Sequence, residues 1–301
     1  MPAVQSFHRR NSGVTLIELA ITIALVGILA AMIVQFLNPV RSYIDSSRRA
    51  ALADTADTAL RRVGRDLHLA LPNSVRVDGT GRYVEFLLVR VGGRYRYDIA
   101  ASSTSGCPAG GGSSPTEDVL VFGAPDNCFK TIGNLYTTPA DISQITTNDY
   151  VVIFNLQPET DKADAYQSLC GASCNKAQIT GKAALSGEDR IEFGGGNTFT
   201  YESPGNRFFI IEGPVTYGCD LGAGTLTRYW GYTIPASQNA PPTGATSALM
   251  ASGVTACSFT YDTTSQGAGL VTMALRLAMQ DSHGDTENVN LYHTVHVNNV
   301  P

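Results

Sequence analysis

The sequence predicts an α+β protein in which a long, kinked N-terminal helix packs on a β-sheet-rich globular head. Three observations lead to this fold class. Residues 19–40 form an apolar run without a charged residue. The following residues repeat apolar side chains at three- and four-residue steps, which is the helical period. Beyond Pro72 the repeat changes to every second residue, which is the period of a β-strand.

The N-terminus is predicted to be a short leader, residues 1–13, followed by a transmembrane segment over residues 17–40. The leader contains His8, Arg9 and Arg10 and no acidic residue. The uncharged run has 22 residues, and a helix of that length measures about 33 Å, enough to cross a bilayer. An ordinary signal peptide has a shorter apolar core with the cleavage site behind it. The alternative is an ordinary signal peptide that is cleaved off at the small residues 29–31.

The span is predicted to continue into an amphipathic helix over residues 41–71. Pro39 stands between the two halves and is predicted to kink the helix, because proline removes a main-chain donor and clashes with the preceding turn. Pro72 then ends the helix. The apolar stripe consists of Tyr43, Ile44, Ala51, Leu52, Ala56, Ala59, Leu60, Val63, Leu67, Ala70 and Leu71.

Residues 72–301 are predicted to form the β-rich head. The clearest strand covers 271–279, where apolar residues alternate with threonine, arginine, alanine and glutamine. A polar turn at 281–285 separates it from a second alternating strand over 289–297, so the two predict a hairpin. Shorter strands are predicted at 83–89, 94–99, 119–122, 150–154, 190–193, 207–211, 226–233 and 258–261.

The six cysteines predict disulfides, since an even count favours them outside the cytoplasm, although six cysteines allow 15 pairings. Proximity along the chain suggests three pairs. Zinc is the competing use, but the one close pair lacks a second pair or a neighbouring histidine to complete a tetrahedral site. The suggested pairs are Cys107–Cys128, Cys170–Cys174 and Cys219–Cys257.

Charge and motifs exclude several function classes. The formal net charge is −5, and loss of Arg9 and Arg10 with the leader makes it −7, which disfavours nucleic-acid binding. His293 and His296 are predicted on opposite faces of a strand, which does not suit a metal site. Glycine triplets lack the lysine of a phosphate loop. We therefore expect no enzymatic activity, no cofactor and no metal.

Glu18 stands at the start of the apolar run, where a charge is costly. A charged side chain near the centre of a bilayer costs about 2.5–3.5 kcal/mol on insertion scales, so a carboxylate there indicates a function. The alternative is a glutamate that lies in the interfacial region. The hexad Gly-Val-Thr-Leu-Ile-Glu at residues 13–18 resembles the type IV prepilin processing motif, in which a peptidase cuts after the glycine.

The leader, the hexad, the kinked helix and the disulfide-bearing head together resemble a minor pilin or pseudopilin of type IV pili and type II secretion systems. Residues 71–77 and 293–301 further resemble the O-type minor pilins of mannose-sensitive haemagglutinin (MSHA) pilus biogenesis. The resemblance implies a pilin-like fold. The first residue after the cut is usually phenylalanine or methionine in this family, and Val14 departs from that pattern.

The resemblance also implies roles for three residues. Gly13 would precede the bond cut by the prepilin peptidase, and the new amino group of Val14 would be methylated by the same enzyme. Glu18 would pair with the N-terminal ammonium of a neighbouring subunit. Such a pair compensates part of the cost of a carboxylate in a low-dielectric helical bundle, and it fixes the register of the entering subunit.

The function implied is that of a minor pilin that initiates or caps an MSHA-like type IV pilus. Its partners would be the membrane, other major and minor pilins, the prepilin peptidase and N-methyltransferase, and the inner-membrane assembly platform. It would cross the bacterial inner membrane once, with its head in the periplasm, and then enter the extracellular pilus. The alternatives are a type II secretion pseudopilin and a tip adhesin that binds a surface ligand.

Overall fold

The computed structural model describes residues 13–96, 119–167, 173–265, 267–280 and 284–301; of residues 36–42, 195, 264 and 265 it describes the main chain alone. The chain divides into two compact units. One comprises Met1–Ala51 with Gln280–Thr286, and the other comprises Leu52–Met279 with Glu287–Pro301.

Helix α1 spans Leu16–His68. Its first 20 residues, Leu16–Gln35, have a mean hydropathy of 2.6 and are long and apolar enough to cross a membrane. None of that stretch is buried. The main chain is helical through residue 39. The side chain of Pro39 lies outside the described part of the chain, so the predicted kink at this residue stays a prediction.

The helix ends at His68, three residues before the predicted end at 71. The next residues leave the helix because they hydrogen-bond to a strand. The N–H of Leu71 donates to the carbonyl of Leu87, and the N–H of Val89 donates to the carbonyl of Leu69, both at 2.8 Å. Leu71 is fully buried. The hydrogen bonds to Leu87 and Val89 and the burial of Leu71 therefore end the helix before the chain reaches Pro72.

The head is dominated by β-sheet in its described residues, beside one 3-10 helix at Pro139–Gln144. A strand-rich head behind an apolar N-terminal helix is thus confirmed. The strands are β1 (Arg76–Val77), β2 (Tyr83–Arg94), β3 (Asp126–Lys130), β4 (Tyr150–Val152), β5 (Lys176–Ala184), β6 (Asp189–Asn197), β7 (Arg207–Asp220), β8 (Thr225–Trp230), β9 (Thr246–Ser252), β10 (Val254–Ser265), β11 (Ala268–Gln280) and β12 (Thr286–Asn298).

These strands form two sheets. The larger sheet has nine strands in the order β1-β2-β7-β4-β5-β6-β3, with β8 pairing β7 and β9 pairing β8. The smaller sheet has the order β10-β11-β12, and its last two strands confirm the pair of alternating strands predicted near the C-terminus. Neighbouring strands of the larger sheet run antiparallel, with β2 facing β7 from Tyr83↔Gly218 to Arg94↔Arg207.

The largest core cluster packs the end of α1 against both sheets. Five residues at helical spacing supply its helical side: Ala56, Ala59, Leu60, Val63 and Leu67. Strands β2 and β7 supply the larger-sheet side, and alternate residues of β11, such as Val271, Met273 and Leu275, supply the smaller-sheet side. The predicted alternation along β11 is therefore the alternation between core and surface.

Two further apolar clusters pack against the rest of the larger sheet. One is aromatic: the ring centroids of Phe129 and Phe208 lie 4.9 Å apart, and those of Phe193 and Phe199 lie 5.4 Å apart, both edge-on. The other surrounds Leu71 and Tyr166. The described part of the head thus has an apolar interior made of three clusters, which position its strands.

A disulfide joins the two sheets between Cys219 in β7 and Cys257 in β10, one of the three pairs suggested by proximity. Cys128 and Cys174 are also disulfide-bonded. Cys107 and Cys170 lie outside the described residues, so the pairings Cys107–Cys128 and Cys170–Cys174 stay predictions.

Candidate processing and assembly segment

The segment begins with three residues that precede the helix. Gly13, Val14 and Thr15 are non-helical and exposed. A Cβ atom built on Gly13 has no heavy atom within 4 Å, and its backbone is outside the left-handed region that favours glycine. Within the described residues, neither packing nor backbone conformation therefore requires glycine at position 13.

Thr15 caps the start of α1, and Thr15 with Glu18 has the sequence pattern of a capping box. The N–H of Glu18 points to the Thr15 hydroxyl oxygen at 3.4 Å, and the N–H of Leu19 donates to the Thr15 carbonyl at 3.1 Å. Threonine at the cap position with glutamate three residues later is a recognised helix-start pattern. Glu18 also lies in the first turn, where the helix dipole stabilises a negative charge. The negative charge of Glu18 therefore also favours the start of the helix, a local effect that its spacing from Gly13 does not reveal.

The helical surface behind Glu18 is apolar and uncovered. Large apolar side chains from Leu16 to Val34 are at least half exposed. The one hydroxyl within this stretch, on Thr22, donates to the carbonyl of Leu19 at 2.9 Å. Its polar group is therefore satisfied inside the helix, as a lipid environment requires. A surface this apolar needs a lipid or protein cover.

The other end of α1 is fixed to the head by a polar cluster around Asp66. Its carboxylate accepts a hydrogen bond from the Tyr217 hydroxyl at 2.7 Å and from Nε of Arg228 at 2.9 Å. Burial and the Asp66 carboxylate raise the pKa of the Tyr217 hydroxyl. Burial disfavours the charged Arg228 side chain, but Tyr217 and Asp66 outweigh it and raise the guanidinium pKa.

For Trp230 with Tyr229 and Tyr232, the sequence favours an aromatic strand packed in the head over a binding platform. The structure places Trp230 at the end of β8, partly buried against the main core, with the Arg228 guanidinium 5.0 Å from its ring centroid. Tyr232 is hydrogen-bonded to the buried Glu85 carboxylate at 3.0 Å. Both aromatic side chains therefore serve the packing of the head.

The two C-terminal histidines lie on different faces of β12. His293 packs against α1, where its Nε2 would lie 2.9 Å from a Cβ built on Gly64. His296 is exposed. Their separation follows from the two-residue period of a strand, and the pair does not converge on a common site.

The spacing between Gly13 and Glu18 is a signal that the sequence shows directly, whereas the Asp66 cluster is not predictable from sequence. The Thr-x-x-Glu pattern at residues 15–18 is a local signal of the capping box. Asp66 resembles the other acids of the amphipathic stretch. Its partner Arg228 lies 162 residues away, so the fold alone distinguishes it.

Residues 8–34 match the family model of the prokaryotic N-terminal methylation motif. This motif indicates a type IV pilin-like or pseudopilin protein. It implies processing by the prepilin peptidase and assembly with other pilins, and together with the single apolar N-terminal helix it is consistent with membrane anchoring. No curated protein and no solved structure matches the chain.

Proposed function

We propose that this chain is a minor pilin that initiates or caps an MSHA-like type IV pilus. The observation that carries the proposal is the methylation motif over residues 8–34 in front of an uncovered apolar helix. In this role the protein is structural rather than enzymatic. It is held in the bacterial inner membrane with its head in the periplasm until it enters the filament.

The environment of Gly13 supports the processing step. A glycine that its own fold does not require is best explained by recognition from outside, and a peptidase that cuts after it is such a recogniser. Cleavage leaves Val14 as an exposed N-terminal residue whose amino group is accessible for methylation. The bare helix behind it then packs with the helices of other pilins.

Glu18 supports the assembly step. Its carboxylate is exposed at the start of the apolar surface, and removal from water requires a cationic partner. The methylated ammonium of Val14 in a neighbouring subunit supplies that charge. Because the pair forms only at one axial position, it sets the register of the subunit in the filament.

The size of the head supports a minor role. The 288 residues that follow the leader include a two-sheet head, and a head of this size at every position would crowd a tightly packed filament. The methylation motif fits a type II secretion pseudopilin equally well, and neighbouring genes for pilus or secretion components distinguish the two.

The deciding experiment is intact-mass analysis of the protein purified from its native membrane. We expect loss of residues 1–13 and a single methyl group on Val14. Gly13→Leu is expected to block cleavage. Gly27→Leu is the matched control, since a Cβ at Gly27 also meets no heavy atom within 4 Å, and it should be cleaved normally. Cleavage near residue 31 in the unmodified chain would overturn the proposal.

A further inference from the structure

A shallow groove crosses the outer face of the smaller sheet. Its volume is about 200 Å³, and residues of β10, β11 and β12 line it. The strand register places Ala256 opposite Arg276 and Ser258 opposite Ala274. Cavities that bind drug-sized molecules measure about 300–1,000 Å³, so this groove has room for one ring-sized unit of a larger ligand.

The floor of the groove is made of small side chains on firmly held strands. Ala256, Ser258 and Ala274 line it, and β10 pairs with β11 on both sides of these residues. Cys257, between Ala256 and Ser258, forms the disulfide with Cys219 of the larger sheet. The groove therefore keeps its shape without a ligand, as a preorganised binding site requires.

Arg276 gives the groove a positive charge in a fixed orientation. Its Nε donates to the side-chain oxygen of Asn290 at 2.6 Å, which holds the plane of the guanidinium. Within the described part of the chain, its two terminal Nη atoms have no hydrogen-bond or ion-pair partner. These atoms form a planar fork that matches the two oxygens of a carboxylate.

The charge of the groove is opposite to that of the whole molecule. The chain has a formal net charge of −5, yet no acidic side chain stands among the described residues that line the groove. Arg276 is exposed, so a ligand can reach its guanidinium without displacing an internal ion-pair partner. Charge complementarity therefore favours an anionic ligand, and the planar fork favours a carboxylate.

Tyr292 adds an aromatic surface to the same groove. Its side chain is 77% exposed, and it stands two residues from Asn290 on β12, so both project from one face of the strand. A single exposed tyrosine is ordinary at a protein surface, but this ring shares its groove with a fixed guanidinium. The ring of a sugar suits this arrangement, because its C–H groups pack on an aromatic face while its hydroxyls bond to the Asn290 amide and the Ser258 hydroxyl.

We propose that this groove binds an acidic saccharide through one uronic acid unit. The carboxylate of that unit pairs with the Nη groups of Arg276, and the apolar face of its ring packs on Tyr292. An acidic peptide offers the carboxylate without a sugar ring, and a neutral saccharide offers the ring without the charge, so each satisfies half of the groove. The inference does not rest on the proposed role in a pilus.

The test is saturation-transfer NMR of the ligand with the full-length chain in detergent at pH 7. The probes are trisaccharides of galacturonic, glucuronic and mannuronic acid, each compared with its methyl ester, in which the carboxylates are neutral. We expect at least one acidic trisaccharide to bind, and its ester to bind at least tenfold more weakly. Triglutamate is the peptide comparator and should also bind more weakly than that trisaccharide.

Variants assign the binding to the groove. Arg276→Gln and Tyr292→Ala should each weaken binding at least tenfold, and Tyr292→Phe, which keeps the ring, should restore most of the binding lost in Tyr292→Ala. Arg94→Gln is the matched control and should leave binding unchanged, because Arg94 is exposed at the end of β2 in the larger sheet. Melting temperatures of all four variants are measured to exclude misfolding.

Several outcomes would overturn the proposal. They are no binding of any acidic trisaccharide, binding of the ester or of triglutamate as tight as that of the acidic trisaccharide, and unchanged binding in a folded Arg276→Gln protein. A loss in Arg94→Gln equal to that in Arg276→Gln would do the same, since it would place the binding outside the groove.

Discussion

The Asp66 carboxylate lies 2.9 Å from Nε of Arg228, and this ion pair joins the last turns of α1 to strand β8. The two side chains are only 14% and 20% exposed. The Tyr217 hydroxyl donates to the same carboxylate oxygen. A largely dehydrated, multiply bonded carboxylate of this kind locks a helix to a sheet far more firmly than a surface ion pair does.

Asp66→Asn should therefore destabilise the head. Loss of the charge leaves Arg228 dehydrated and poorly paired, and we expect the free energy of unfolding to fall by about 1.5–3 kcal/mol. Trp230, the single tryptophan, lies beside Arg228 and reports unfolding by its fluorescence in a urea titration of the full chain in detergent.

The control is Asp57→Asn on the same helix. Asp57 pairs with Arg61 at 2.7 Å, but the two side chains are 49% and 74% exposed. An exposed pair four residues apart contributes about 0.3–0.5 kcal/mol. Equal losses from the two substitutions would show that dehydration at Asp66 adds nothing.

Gly64→Ala should fail to give the stabilisation that this change usually gives in a helix. Alanine is normally favoured over glycine by about 1 kcal/mol. Here the new Cβ would lie 2.9 Å from Nε2 of His293 and 3.3 Å from Cγ2 of Val295, so the β12 side chains must move. We expect a net loss of unfolding free energy in the wild-type background.

A double-mutant cycle isolates that contact. In the His293→Ala background the nearest obstruction is gone, and Gly64→Ala should cost less by at least about 0.5 kcal/mol. Thermal unfolding of the four variants provides the measurement. A cycle without coupling would mean that His293 moves aside freely.

Replacing Cys219 and Cys257 together by alanine should lower the free energy of unfolding by about 3–4 kcal/mol. The disulfide closes a segment of 38 residues, and cross-linking a loop of this length restricts the unfolded chain by that amount in the chain-entropy model. Urea titrations of the variant and the wild type, each without reductant, compare the two midpoints. An unchanged midpoint would contradict the expectation.

The helix and the C-terminal strands were predictable because their signals are local. The apolar stripe of α1 and the alternation along β11 each depend on residues close together in the chain. The sheet order was not predictable: β2 pairs with β7, and more than a hundred residues separate these strands. A hydrophobic period contains no information about which strand is the partner.

Gly92 and Gly93 show a second limit of sequence-based prediction. Glycine in a strand interior weakens the strand, and the predicted strand stops at residue 89. In the structure β2 continues through both glycines to Arg94. A Cβ on Gly92 would lie 3.1 Å from the Phe209 ring, and one on Gly93 would lie 2.6 Å from Cδ2 of Leu135 and 3.0 Å from the Phe208 ring. These glycines make room for neighbouring aromatic and leucine side chains, and only the fold reveals that need.

Lys176 should make stability depend on pH in the alkaline range. Burial lowers its pKa from 10.5 to about 8, with partial opposition from Asp164, and its ammonium donates to the carbonyl of Ala165 at 2.5 Å. Between pH 8 and 10.5 the unfolded state binds more protons at this site than the folded state. The contribution of Lys176 to unfolding free energy therefore rises with pH through that window.

Lys176→Met removes this titration. At pH 7 we expect the variant to be more stable by about 1–2 kcal/mol, since the cost of a buried charge exceeds the value of one hydrogen bond. The advantage should shrink as the pH rises from 8 to 10.5. Melting temperatures of both proteins across this range check the prediction, and a difference independent of pH would contradict it.

Glu18→Gln separates the assembly role of Glu18 from its role at the helix start. Glutamine also fits the third position of a capping box, so the helix should begin at the same residue and cleavage after Gly13 should continue. The side chain loses the charge that would meet the ammonium of a neighbouring subunit. Incorporation into sheared filaments, measured by immunoblot against total cell protein, should fall about tenfold or more, equivalent to at least 1.4 kcal/mol.

Thr15→Ala is the complementary change. It removes the capping hydroxyl, which is 3.4 Å from the N–H of Glu18, at a cost of about 1 kcal/mol to the helix start, and it leaves the carboxylate charged. If Glu18 acts by pairing between subunits, the Thr15→Ala protein enters filaments nearly as well as the wild type. If Glu18 serves only to start the helix, the Glu18→Gln protein enters filaments better than the Thr15→Ala protein. The reason is that Glu18→Gln keeps the capping-box pattern and Thr15→Ala does not.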